Sequence, residues 1–106
     1  MRYELMPIKW MGASRAAVRA FPRAAKDVAG DELFRLQVGL EPEHWRPMPG
    51  IGAGVREIRI STGSEYRIVY VIEKASGPVV LHAFQKKSRQ TSRRDIEIAR
   101  QRLREL

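Results

Sequence analysis

The chain has 106 residues with 43% hydrophobic content and a formal net charge of +8, enough for one modest core but not two, so a single domain over residues 1–106 is expected. It contains no cysteine, which excludes disulfides, thiolate catalysis and cysteine-ligated zinc, and its two histidines, His44 and His82, cannot build a metal site alone. It shows neither the apolar core of a signal peptide nor a run of roughly 18 apolar residues, so a cytoplasmic protein with no membrane partner is expected.

Residues 2–10, RYELMPIKW, read as a first strand, with Pro7 implying an edge position because it has no ladder donor. Gly12-Ala13-Ser14 supplies a turn and a helix N-cap, and Val18 and Phe21 give a short helix its apolar side. Pro22 interrupts that helix and suits the first turn of a second one, along which Ala25, Val28, Ala29, Leu33, Leu36 and Leu40 recur at helical spacing. Residues 41–53, with three prolines and two glycines, read as a rigidified loop without regular structure, pinned by Trp45.

The sheet is expected in residues 54–87. Val55–Ile60, Tyr66–Ile72 and Val79–Phe84 are rich in β-branched and aromatic residues and are separated by short, polar, glycine-bearing segments, as in an antiparallel meander with no room for parallel crossovers. Alternation puts Tyr66, Ile68, Tyr70 and Ile72 on one face and Arg67, Val69 and Val71 on the other. Ser92 with Asp95 marks the start of a last helix, whose Ile96, Ala99, Leu103 and Leu106 form one stripe and leave Arg93, Arg94, Arg100 and Arg104 mostly outward. The expected class is α+β: two N-terminal helices packed on an antiparallel sheet, with a C-terminal helix.

The segment from Gln85 to Leu106 holds eight Lys/Arg against three Asp/Glu, so it carries five of the eight net positive charges. Such a cluster favours a polyanionic partner through counterion release, against the plainer alternative of a solvated face. Arg67, set among valines, either packs its stem and pairs its head with a carboxylate, or is held to clamp a phosphate. His82 in an apolar strand is either a hydrogen-bonded core histidine or a general acid or base. Lys86 and Lys87 are a solvated strand end or part of the same basic site. Tyr66 and Tyr70 have the spacing of core residues, with base stacking the lesser alternative, and Trp10 and Trp45 read as packing anchors. No triad, paired-carboxylate signature, phosphate loop or metal-ligand spacing occurs, and no cofactor is expected.

Taken in order, Trp10-x-Gly12-x-Ser14, Phe21-Pro22, Gly30-x-x-Leu33, Gln37-x-Gly39, Trp45-x-Pro47-Met48, Gly52-x-Gly54-Val55-x-Glu57-Ile58-Arg59, Tyr66-Arg67-x-x-Tyr70 and Leu81-His82-x-Phe84-x-Lys86-Lys87 form a set. It resembles the phage-derived HigB-like toxins of the RelE/ParE superfamily, from about Trp10 to Arg102. The resemblance implies a RelE-like fold with a displaceable C-terminal helix. It further implies a type II toxin that cleaves mRNA on the ribosome without a metal, and a cognate antitoxin carrying a helix-turn-helix domain. Carried over, it places Arg67, Lys86, Lys87 and His82 at the catalytic site, with Arg59 and Arg89 as further RNA-binding candidates; Arg93, Arg94 and Arg100, read from the charge of the last helix, are a solvated face or an RNA-facing rim. Where family members often show Lys-Thr-x-Lys-Thr-Pro, this chain has Lys87-Ser88-Arg89-Gln90-Thr91-Ser92. A ParE-like toxin that inhibits gyrase by binding alone, or a non-toxic phage-derived RNA-binding protein, are the alternatives the resemblance leaves open.

Overall fold

A computed structural model describes residues 5–106. The elements run β1 (Lys9–Trp10), α1 (Ser14–Arg19), α2 (Arg23–Gln37), β2 (Trp45–Pro47), β3 (Arg56–Ser61), β4 (Glu65–Glu73), β5 (Gly77–Lys86) and α3 (Arg93–Arg104). They build one five-stranded sheet in the order β1-β5-β4-β3-β2, so the class is α+β with three helices among the described residues. None of these helices is long and apolar enough to cross a membrane.

The meander β3-β4-β5 forms as its β-branched runs predict, with Gly63 and Gly77 at positive φ in the two turns. Its two faces bury two separate cores. On one, Val18 and Phe21, with Ala25, Ala29, Leu33 and Leu36 of α2, cover Ile58, Ile60, Tyr66, Ile68, Tyr70 and Val80. On the other, Ile96, Ala99 and Leu103 of α3 pack on Val55, Val69, Val71, Val79 and Leu81. Both tyrosines are therefore core residues, and Phe21 lies against Tyr66 with ring centroids 4.8 Å apart.

Several expectations are corrected. The first strand shrinks to Lys9–Trp10, with residues 2–4 outside the described residues; Pro7 is not in it, and Met6 N–H donates to Gln37 O at the end of α2. That strand pairs in parallel with β5, so the sheet is not wholly antiparallel: the chain from α1 through β4 is the long connection that lets the two run alike. The 41–53 segment contains β2, an antiparallel edge strand on β3; Pro47 is tolerated there because an edge strand need not donate on both sides. Ser14 is the first helical residue rather than a cap, and its hydroxyl donates to Val80 O, docking α1 on the sheet. The second helix stops at Gln37, with Gly39 at positive φ behind it, which leaves Leu40 exposed; Ile72 and Leu106, at element ends, are exposed as well.

Candidate functional site

The α3 side of the sheet is apolar at one end and charged at the other, and the register explains how. Val69 pairs with His82 while Tyr70 pairs with Val80, so β5 carries one extra residue, a bulge at Leu81. Strict alternation from Val79 and Leu81 would send His82 and Phe84 to the α1/α2 face. The bulge instead turns His82, Phe84 and Lys86 to the α3 face, opposite Val69, Arg67 and Glu65. Glu57 and Arg59 of β3 and Arg46 of β2 join them by register, giving one row of Arg46, Glu57, Val69 and His82, and a second of Arg59, Arg67 and Phe84.

Arg67 is 2% exposed. Its Nη1 donates to Glu65 Oε1 at 3.0 Å and to Tyr66 O at 2.9 Å, and its Nε lies 3.4 Å from Glu57 Oε1. Glu57, itself 1% exposed, is also 3.5 Å from Nε of Arg46 on the edge strand. The carboxylate-paired arrangement of Arg67 is thus the one the structure has. The pairing leaves Glu57 Oε2 and Arg67 Nε buried without a hydrogen-bond partner. Hydrogen bonds from Ser61 and then from Arg67 hold the half-exposed Glu65 carboxyl below its usual range.

His82 is mostly buried, stacked on Phe84 at 5.0 Å, and both of its nitrogens are engaged. Arg102 Nη1 lies 3.4 Å from Nδ1 and donates to Leu81 O at 2.9 Å; an arginine can only donate, so Nδ1 accepts and Nε2–H donates to Asp95 Oδ1 at 2.8 Å. Burial lowers the His82 pKa first of all, Asp95 opposes that, and Arg102 and Arg94 add to the lowering, so the ring is neutral near pH 7. Asp95 is fixed from its own helix, because Ser92 caps α3 by accepting from Asp95 N–H while its hydroxyl donates to Asp95 Oδ2.

A cleft of about 190 Å³ opens between the end of β5 and the start of α3, lined by Phe84, Lys86, Lys87, Ser88, Ser92 and Asp95 among others. Lys86 Nζ donates to Arg89 O at 2.6 Å, closing the link after β5, and Lys87 is exposed just beyond the strand. Arg59, Arg89, Arg93 and Arg94 are exposed. Arg100 turns back instead: its Nε and Nη2 donate to Gly50 O at 3.1 and 2.7 Å, and its Nη1 donates to Glu97.

The site thus gathers Arg67, His82, Lys86 and Lys87 at one end of one face, while Arg93 and Arg94 begin the neighbouring helix and Arg100 lies a further two turns along it. Sequence reasoning passed over Arg46, Glu57, Asp95 and Arg102 as site residues. Asp95 was visible only as a capping residue, and Arg102 falls outside the helix's apolar stripe although it ties α3 to β5.

Residues 16–104 match the family model for phage-derived proteins of the Gp49-like type, and the chain belongs to that family. No curated protein matches the chain.

Proposed function

We propose that this member of the phage-derived Gp49-like family is a HigB-like toxin of a type II toxin–antitoxin pair, RelE-like in fold, acting in the cytoplasm as a ribosome-dependent mRNA endoribonuclease. The observation that carries this reading is the β5 bulge, a one-residue insertion that turns His82 and Lys86 onto the Arg67 face beside Asp95. Bulges that re-aim side chains are characteristic of functional sites.

In the proposed reaction the RNA 2′-oxygen attacks its adjacent phosphorus while its proton passes to water, and the 5′-oxygen leaves, so negative charge builds on the phosphoryl oxygens. Lys86 and Lys87 stabilise that charge and supply the leaving-group proton. Arg67 meets the scissile phosphate in place of Glu65, whose carboxylate on Nη1 stands where a phosphate oxygen would sit. His82, neutral and braced from both sides, serves as scaffold for the strand end. Arg59, Arg89, Arg93 and Arg94 steer the RNA, while Arg100 fixes α3 to the Gly50 turn. The ribosome supplies the mRNA geometry. A cognate helix-turn-helix antitoxin neutralises the toxin by covering the basic C-terminal region.

One observation favours a second reading: Arg67 and His82 are both buried and make their contacts within the protein, as befits a toxin that inhibits gyrase by surface binding alone. The two readings part in a translating extract given the purified protein, with primer extension on the mRNA and a parallel supercoiling assay. Cleavage confined to ribosome-bound mRNA supports the nuclease, and gyrase inhibition without cleavage supports the alternative. Expression without the antitoxin is expected to arrest growth, and coexpression of the neighbouring helix-turn-helix gene to restore it; normal growth at verified soluble expression would remove the toxin reading.

A further inference from the structure

An accessible cation beside the buried Arg67 and Glu57 comes from the edge strand. Arg46 of β2 keeps 51% of its side chain exposed, yet its Nε lies 3.5 Å from Oε1 of Glu57, a carboxylate 1% exposed. The same oxygen lies 3.4 Å from Arg67 Nε on the other side. One buried carboxylate is thus shared by two guanidiniums from strands either side of it, so the trio keeps one net positive charge, and Arg46 is the member that reaches solvent.

A buried carboxylate is costly, and this one keeps Oε2 without a partner among the described residues. An apolar residue would fill the same place on β3 at lower cost. The cost is offset if the carboxylate holds a guanidinium in place: a free surface arginine loses side-chain entropy when it grips a ligand, whereas one already tethered at Nε has lost much of it beforehand. Contact at Nε also leaves both terminal nitrogens of Arg46 without a partner among the described residues, the pair that matches two phosphate oxygens.

We propose that Arg46 is a phosphate-binding residue of this face and that Glu57 is its positioning residue, setting Arg46 over the buried Arg67. This rests on the nuclease reading and adds to it a contact to an RNA phosphate neighbouring the scissile one, delivered by β2. Arg46 and His82 occupy one row of the sheet with β3 and β4 between them. Two steps between strands, of about 4.8 Å each, separate the strand of Arg46 from that of Arg67, which meets the scissile phosphate.

The test is cleavage of mRNA on programmed ribosomes, measured against toxin concentration at several potassium chloride concentrations, with the full chain. Arg46→Gln is expected to raise the half-saturating concentration on the order of tenfold and to flatten the logarithmic salt dependence by about 0.7–1, the loss of one phosphate contact. The saturated rate should stay within about twofold, as for a contact made equally in ground and transition states. Arg46→Lys, which keeps the charge but loses the paired donors, should restore the salt slope and only part of the affinity. Glu57→Gln should raise the half-saturating concentration with the salt slope unchanged, because the charge of Arg46 remains while its placement is lost. Arg23→Gln, on α2 and paired with Asp27 alone among the described residues, is the control and should change nothing. Wild-type cleavage with an unaltered salt slope and half-saturation in Arg46→Gln overturns this inference and leaves the nuclease reading standing. Absence of cleavage by the wild-type protein overturns both.

Discussion

The two faces of the sheet are built on opposite terms. Under α1 and α2, every buried sheet side chain is apolar or a tyrosine, and the face is closed from Val18 to Val80. Under α3 the core of Val55, Val69, Val71, Val79 and Leu81 gives way, within the same strands, to Glu57, Arg67 and His82, all buried. The first face relies on shape and volume, with the Tyr70 hydroxyl buried without a hydrogen-bond partner among the described residues. The second leaves a carboxylate oxygen and a guanidinium nitrogen without hydrogen bonds, an arrangement that subtracts from stability. Stability is thus concentrated on one side of a single sheet and polar chemistry on the other, with the alternation of side chains along each strand keeping the two apart.

The largest expected break in that contrast is Arg67→Ala. Removing the buried partner of this ion pair leaves Glu57 with only the half-exposed Arg46 at 3.5 Å, so the domain should lose about 3 kcal/mol of stability as well as cleavage. Replacing both partners, Arg67→Met with Glu57→Leu, should recover most of that stability, since an apolar pair of similar volume does not carry the desolvation cost. The double variant should remain inactive. Chemical denaturation of the two proteins, followed by cleavage assays on those that stay folded, separates the roles; a stable and fully active double variant would make the charged half of this face mere packing.

A smaller effect is expected at the exposed rim. Lys86→Ala with Lys87→Ala should leave stability within about 0.5 kcal/mol, because both side chains stand at or beyond the end of β5. Cleavage should fall on the order of a hundredfold through lost charge stabilisation. Full activity in this double variant, with Arg67→Ala unfolded, would remove the site assignment while leaving the fold and family untouched.

How much of this was legible in the sequence follows from which signals are local. The β3-β4-β5 meander, the buried tyrosines and the Ser92–Asp95 cap rest on period-two alternation and capping chemistry, both written within a few residues. β2 escaped because Pro47, Pro49 and two glycines mask a three-residue edge strand, and with β2 hidden Arg46 had no neighbour. The bulge at Leu81 was invisible because an extra apolar residue in an apolar run changes no pattern, yet it decides which face His82 occupies. Glu32 was missed within the α2 stripe because its carboxylate is buried to accept Glu43 and His44 N–H, partners contributed by the connection between α2 and β2.

The smallest effect expected is a pH dependence at His82, where the apolar and charged halves of one face meet under α3. Burial lowers its pKa below the ordinary 6.5 while the hydrogen bond and charge of Asp95 pull the other way, so the net shift is a partial cancellation. Its sign is nevertheless fixed. Between the folded and the unfolded pKa the unfolded chain binds more protons, so stability rises with pH through that window. The contribution is complete above about 6.5 and is lost as pH falls through the lowered folded value. Denaturation midpoints collected from neutral to mildly acidic pH should therefore decline, and His82→Gln should flatten the decline in that window while carboxylate titration continues below it. Asp95→Asn should steepen it, since removing the opposing carboxylate leaves burial, Arg94 and Arg102 to lower the pKa further; a decline steeper in His82→Gln than in the wild type would mean that His82 is held protonated against α3 instead of buried neutral.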